Sequence, residues 1–302
     1  MKTAEIEEYR RYTLPAELHK AVNMLKGIVS GIKADEIIVD SEVVELSHWW
    51  SLHAHLRNKN PFSELLPVIE NALEDGVIDA EEREDILWLC SNFEADCQYY
   101  DVITSATQYL NGLIHGMMAD GKLTDKEIVA LNQWLTDNDY LQGTYPFDET
   151  LSLTSAMLAD HKISPDERNT LMAFFSNVID FRDSYNLMEP DFKKLREKYS
   201  VQGICAFCPE IEFEDKVFCF TGASYKATRA ELADIVSSHG GLLRDGVSRK
   251  TNYLIVGNDG NPCWAYSCYG RKIEEAINLR KEGFKLQIVN ETDFWDVISD
   301  LA

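Results

Sequence analysis

Thr221 and Gly222 end an apolar run, Val217-Phe-Cys-Phe220, and set a hydroxyl beside a backbone position that carries no side chain. At the carboxyl end of a strand, where open α/β sheets receive their ligands, such a pair offers a hydroxyl and backbone amides to an anion. Taken alone, Thr-Gly reads as a turn. Two other groups have the composition of a site. Cys205 and Cys208 form a Cys-x-x-Cys, and Cys263 with Cys268 add two thiols of the kind zinc takes. The second pair is spaced too widely, Pro209 and Pro262 stiffen the approaches, and the scattered cysteines suggest no disulfide framework, so no metal or cofactor is expected. Acidic residues recur at Asp35, Asp75, Asp120 and Asp160, each followed seven positions on by Glu42, Glu82, Glu127 or Glu167. A calcium loop needs oxygens at positions 1, 3, 5 and 12 with Gly at 6, and none of the four has that spacing.

The elements that must hold Thr221 are short. Lys216–Gly222 and Thr251–Gly257 are runs of Val, Ile, Phe and Tyr stopped by glycine, which predicts strands. Between them Leu232, Ile235 and Val236 recur at helical spacing, and Gly240-Gly241 supplies a turn. The apolar face of that helix must cover a sheet, which makes the stretch one α/β unit.

Thr221-Gly222, Thr228-Arg229-Ala-Glu231, Gly240-Gly241, Ser248-Arg-Lys-Thr251-Asn-Tyr-Leu-Ile-Val-Gly257, Tyr269-Gly-Arg-Lys272-Ile-Glu-Glu-Ala276 and Trp295 follow, in order, the pattern of a BRCT domain. The last third of the chain most closely resembles the BRCT domains of bacterial NAD-dependent DNA ligases, of the replication factor C large subunit, and of some bacterial exonucleases. The resemblance implies a four-stranded parallel sheet flanked by helices over residues 216–302. It also implies a site, because in members that hold a phosphate the Thr or Ser and Gly after the first strand and a Lys opening the second helix close on it. Those positions are Thr221, Gly222 and Lys272 here, and Arg229 matches the Arg of members that bind 5′-phosphorylated DNA. A hydroxyl, an amide, an ammonium and a helix amino terminus converging on one point bind an anion, and a guanidinium suits bidentate phosphate contact. Arg249 and Lys250 are either a solvated loop or a contact to the DNA backbone. Trp264, in the long loop from Asn258 to Tyr269, either stacks on a base or packs over the second helix.

Residues 1–185 repeat. Shifted by 85, Gly27 meets Gly112, Gly31 meets Gly116, Asp40 meets Asp125, Trp49 meets Trp134, Pro61-Phe62 meets Pro146-Phe147 and Glu82-Arg83 meets Glu167-Arg168. The copies span about residues 21–100 and 106–185, and apolar residues at i, i+3 and i+4 predict helices throughout. Asp79, Thr124 and Ser164 each stand three residues before a Glu, which predicts capping boxes, with Pro165 at a first helical position. The glycines spaced by four on one helical face predict close helix packing in a soluble protein. Helical hairpins with Ala-Asp-Gly turns resemble the TerB (tellurite-resistance) family, where acidic residues have been considered as metal ligands. Asp35, Asp40, Asp120 and Asp125 are the matching positions. Pro190 to Tyr199 reads as a short helix within a 186–215 connection whose remainder, from Ser200, reads as linker. The expected fold class is therefore multidomain, a duplicated all-α helical-hairpin domain followed by an α/β BRCT domain.

Charge is unevenly distributed. Of a net −22, residues beyond 200 carry 11 basic against 15 acidic groups, −4, which leaves 18 against 36, or −18, for the first 200. Such a surface repels a phosphate backbone, so any DNA contact has to be local to the carboxy-terminal domain. No run is long and apolar enough to span a membrane, and the amino terminus lacks the apolar core of a signal peptide, which places the chain in the cytoplasm. No Walker motif, ligase lysine motif or exonuclease carboxylate set is present, so no enzyme is expected. The sequence points to an adaptor in DNA repair, replication or phage defence. Its BRCT pocket would take a 5′-phosphorylated DNA end or another phosphorylated ligand, and its acidic helical face would take a protein. The alternative is a protein scaffold or homo-oligomerising module without DNA.

Overall fold

The computed structural model describes residues 3–33, 40–95, 100–199, 203–257 and 270–301, the side chains of 3–14, 33, 94 and 95 excepted. Helices α1 (Thr3–Lys33), α2 (Asp40–His53), α3 (Phe62–Ala72) and α4 (Ala80–Ala95) are followed by α5 (Val102–Met118), α6 (Asp125–Asp137), α7 (Phe147–Leu158) and α8 (Pro165–Phe175). The repeat is visible in these bounds: α2 and α6, α3 and α7, and α4 and α8 begin 85 residues apart. A short helix α9 (Glu189–Lys198) leads to strands β1 (Val217–Thr221), β2 (Leu242–Arg244), β3 (Tyr253–Val256) and β4 (Gln287–Asn290) and helices α10 (Arg229–Ser238), α11 (Arg271–Lys281) and α12 (Glu291–Leu301). An all-helical region followed by an α/β region is the expected class. No described helix is long and apolar enough to cross a membrane. The chain folds as two compact units, Met1–Ala130 with Met172–Lys198, and Leu131–Leu171 with Tyr199–Ala302. Compactness thus cuts through the second copy of the repeat, and α7 belongs with the sheet.

In the first unit α1 and α5 meet backbone to backbone at their glycines. A Cβ on Gly27 would stand 2.2 Å from the Tyr109 carbonyl oxygen, and one on Gly112 would stand 2.1 Å from that of Met24. Gly31 and Gly116 are as close to Leu113 and Ile28. Nearby, the buried Asn23 Nδ2 donates to Gln108 Oε1 at 2.8 Å, a pairing of positions equivalent under the repeat. Leu25, Ile28, Leu46, Phe62, Leu66, Ile69 and Ile86 form the core around α1 to α4.

The acidic turns do local work. Asp79, Thr124 and Ser164 each accept the amide three residues on, at 2.9, 3.2 and 3.2 Å, while Glu82, Glu127 and Glu167 reach back to the cap amides at 2.9, 2.6 and 2.8 Å. Asp75, Asp120 and Asp160 each accept the amide two positions on, across turns whose middle residues, Gly76, Gly121 and His161, have positive φ. Asp40 and Asp125 sit in the first turns of α2 and α6, where a negative charge complements the helix dipole. Asp35 lies outside the described residues. Among the described residues no three His, Cys, Asp or Glu side chains are placed to hold a metal ion.

In the second unit the strands run parallel in the order β2-β1-β3-β4, with Phe218 opposite Tyr253, Thr221 opposite Val256, and Tyr253 opposite Gln287. Alternation along the strands loads both faces. Cys219, Leu254, Val256 and Ile288 pack on Ile273 and Ala276 of α11, while Phe218, Phe220, Ile255 and Val289 pack on Leu232 and Val236 of α10 and Phe294 of α12. The segment read as linker differs from that expectation from residue 203 onward. Ile204, Cys205, Ala206, Ile211 and Phe213 are buried, Ala206 N–H donates to the Ile288 carbonyl at 2.7 Å, and Phe213 stacks on Phe218 at 5.0 Å. Apolar residues spaced by two make it a flank of the sheet.

This unit also buries a charge cluster. Arg280 of α11, 2% exposed, donates through Nε to Glu149 Oε1 at 2.6 Å and through Nη2 to Glu149 Oε2 at 2.8 Å, and Nη2 lies 3.0 Å from Asp148 Oδ2. Its remaining donors reach the carbonyls of Gly143, Thr144 and Leu286. Two carboxylates on one guanidinium leave a surplus negative charge. Burial, reinforced by Glu149 against the pull of Arg280, pushes the Asp148 carboxyl up from 3.8 to about 6. A raised carboxyl pKa favours the folded state below the unfolded value, and that contribution is lost as pH rises through about 6. Asp148→Asn, which cannot ionise, is expected to match the parent near pH 4 and to exceed it by about 1–3 kcal/mol at neutral pH. Urea unfolding at both pH values checks this, and a difference independent of pH would refute it.

Candidate functional site

The carboxyl end of β1 is shaped by two glycines. Gly222 has φ +76°, a left-handed conformation that turns the chain out of the strand without a side-chain penalty. Gly257, at the end of β3, lets the chain pass close by, since a Cβ there would stand 2.3 Å from the Ala223 carbonyl oxygen. The Gly257 amide donates to the Thr221 carbonyl at 2.8 Å, and the Thr221 side chain is half-buried beside it.

Two helices then bring cations to this point. Thr228 opens α10 with a complete capping box, its hydroxyl and amide both held by Glu231 at 2.8 Å. The amide and hydroxyl of Thr228 together draw the Glu231 carboxyl below its ordinary pKa. Arg229, the first residue of that helix, donates through Nη1 to the Phe220 carbonyl at 2.9 Å and through Nη2 to that of Gly222 at 3.3 Å. Lys272, in the first turn of α11, donates through Nζ to the same Phe220 carbonyl at 2.8 Å. The cations can therefore stand no further apart than these two bonds laid end to end, and at that range they repel by about 1–3 kcal/mol. Among the described residues no carboxylate pairs with either. Among the described residues the amino terminus of α11 has no side-chain cap, and the Ile273 and Glu274 amides turn back to the Gly270 carbonyl at 3.0 Å. Buried beneath Lys272, the Cys219 thiol is pushed up by burial and pulled back by the ammonium.

The loop from Gly222 to Thr228 is fixed from below. Glu291, fully buried at the start of α12, takes the Ser224 hydroxyl and, at 2.9 Å, the Trp295 indole N–H. Ser224 in turn accepts the amides of Lys226 and Ala227 at 3.2 Å. Sequence reasoning placed Trp295 but missed Glu291 and Ser224. An acid two residues beyond the apolar pair Ile288-Val289 and four before Trp295 was the available signal.

Thr221, Gly222, Arg229 and Lys272 are thus gathered at one strand end. Arg249 and Lys250 are not. They precede β3 and lie at the opposite, amino end of the parallel strands, where Arg249 pairs with Glu282 at 3.5 Å and covers the Phe284 ring. Both are exposed. Trp264, Cys263 and Cys268 lie outside the described residues. The Cys-x-x-Cys is split: Cys208 is exposed, while Cys205 is buried with its thiol pushed up to about 12 by burial.

Residues 208–298 match the family model of the BRCA1 C Terminus (BRCT) domain. The chain is 30% identical over 139 residues to a DNA ligase of Petrotoga mobilis, an alignment covering 44% of this chain and 17% of the ligase. It is 27% identical over 123 residues to a DNA ligase of Geobacter metallireducens, covering 41% and 16%, and 36% identical over 88 residues to one of Persephonella marina, covering 29% and 10%. The chain spans less than a fifth of the length of these relatives. No solved structure matches. The carboxy-terminal region is a BRCT domain homologous to BRCT regions of DNA ligases.

Proposed function

We propose that this chain is a non-enzymatic adaptor whose BRCT domain docks on the 5′-phosphate of a DNA end while its acidic helical region recruits a protein partner in DNA repair, replication or phage defence. One observation carries the reading. Arg229 and Lys272 come from different helices to one carbonyl oxygen, beside Thr221 and the amino terminus of α11, which has no described side-chain cap, with no described carboxylate to offset them. A phosphate there relieves their repulsion and meets a hydroxyl and the positive end of a helix at once. The excess acidity of the rest of the chain suits a local, end-specific contact rather than binding along a duplex. That the relatives are DNA ligases supports DNA as the carrier of the phosphate.

The test is an electrophoretic comparison of duplexes that differ only in a 5′-phosphate or 5′-hydroxyl. The phosphorylated end is expected to bind at micromolar affinity or better, and Thr221→Ala or Lys272→Ala to weaken it about 10- to 100-fold. Equal affinity for the two ends would sink the proposal.

A further inference from the structure

Helix α11 carries both the Lys272 ammonium and, eight residues on, the buried Arg280, so about 12 Å of rigid helix joins the anion site to the charge cluster. We infer that Arg280, clamped by Glu149 and Asp148 of α7, is a positioning residue that sets the axial register of α11 and thereby holds Lys272 at the end of β1. The inference rests on the phosphate reading for its functional meaning, but its geometry stands apart from it.

The apolar face of α11, Ile273 and Ala276, fixes the helix against the sheet, but such contacts are non-directional and tolerate sliding along the helix axis. The Arg280 contacts are directional. A side-on fork to Glu149 at 2.6 and 2.8 Å, an ion pair to Asp148 and three carbonyl acceptors engage the whole guanidinium. Asp148 is itself tied to the Gly143 amide at 3.0 Å, so the clamp is anchored in the loop before α7. At the other end Lys272 is held by the Phe220 carbonyl that it shares with Arg229 and by the Cys219 thiol. A shift of α11 along its axis would carry Lys272 away from both. The phosphate-reading body therefore includes residues 131–171, which lie outside the region that matches the BRCT model.

Glu149→Gln keeps the shape of the clamp, removes its surplus charge and weakens the fork. Arg280→Lys keeps the charge and removes the fork. In the full-length protein, without DNA, Lys272 is labelled with an amine-reactive acyl ester and quantified by mass spectrometry, with exposed Lys250 as internal reference, at a temperature where every variant is folded. Both variants are expected to raise Lys272 labelling about five- to tenfold relative to Lys250. They are expected to weaken binding of 5′-phosphorylated ends by a similar factor, and Lys272→Ala is expected to cost little more in either background. Unchanged labelling overturns the inference whatever the DNA result, and so does strict additivity with Lys272→Ala. Raised labelling in a protein that does not distinguish phosphorylated from hydroxyl ends upholds the positioning role and removes the phosphate function instead.

Discussion

Alanine at position 112 is expected to destabilise the chain by about 2–4 kcal/mol, although helix propensity alone would make it stabilising by about 0.5–1 kcal/mol. The sign is decided by space. The added methyl would lie 2.1 Å from the Met24 carbonyl oxygen and 2.9 Å from its carbonyl carbon, both backbone atoms that no rotamer change can withdraw. Helices α1 and α5 would have to separate, and separation uncovers Leu25, Ile28, Leu113 and Met117 along the same contact. Gly27→Ala should do equal damage, because its methyl meets the Tyr109 carbonyl at 2.2 Å. The double variant should cost less than the two single losses combined, since helices already moved apart for one methyl accommodate the other. Gly246, where nothing lies within 4 Å, is the control, and its alanine variant should remain within about 0.5 kcal/mol of the parent. Urea melts followed by circular dichroism measure all four. A Gly112→Ala protein as stable as the parent would mean that α1 and α5 do not meet at these glycines.

That contact was legible in the sequence, because glycines spaced by four on a helical face, and matched by a second pair 85 residues on, mark two backbones that approach closely. The capping boxes were legible for a similar reason: an oxygen three residues before a Glu is a local signal, and local signals survive folding. The strand runs around Thr221 and Tyr253 were readable in the same way. Other features depend on distant partners. Nothing in Ile277-Asn-Leu-Arg280-Lys marks Arg280 as buried, since an arginine near a helix carboxyl end is ordinarily solvated and complements the dipole. Its partners stand 131 residues earlier, in a copy of the repeat that the periodicity assigned to the helical region. The Phe220 carbonyl that gathers Arg229 and Lys272 is a backbone atom and leaves no trace in composition. The packed segment after residue 203 was hidden by Cys205, Cys208 and Pro209, which read as loop while Ile211 and Phe213 alternate into the core.

Arg280→Met should cost about 3–5 kcal/mol, the loss typical of removing one partner from a buried ion pair. The substitution is close in volume, so lost packing is a small part of the effect. Most of it comes from Glu149 and Asp148, 4% exposed each, which would remain buried without their cation. The carbonyls of Gly143, Thr144 and Leu286 would lose their donors as well. Combining Arg280→Met with Glu149→Met and Asp148→Asn removes the stranded charges, and this triple variant is expected to recover most of the loss, because an apolar replacement of a whole buried cluster is often neutral. Denaturant unfolding of the single and triple variants decides the matter. A single variant within about 1 kcal/mol of the parent would show that the guanidinium is not holding α11 to α7.

The hydrogen bond from Asn23 to Gln108 joins two positions that the repeat makes equivalent. Contacts that map onto themselves in this way are the signature of a twofold axis, the arrangement two copies of one molecule adopt when they associate. Tethering both partners in one polypeptide removes the dependence of that association on concentration. It also releases them from identity: asparagine facing glutamine is a pairing that two identical subunits related by that axis could never present.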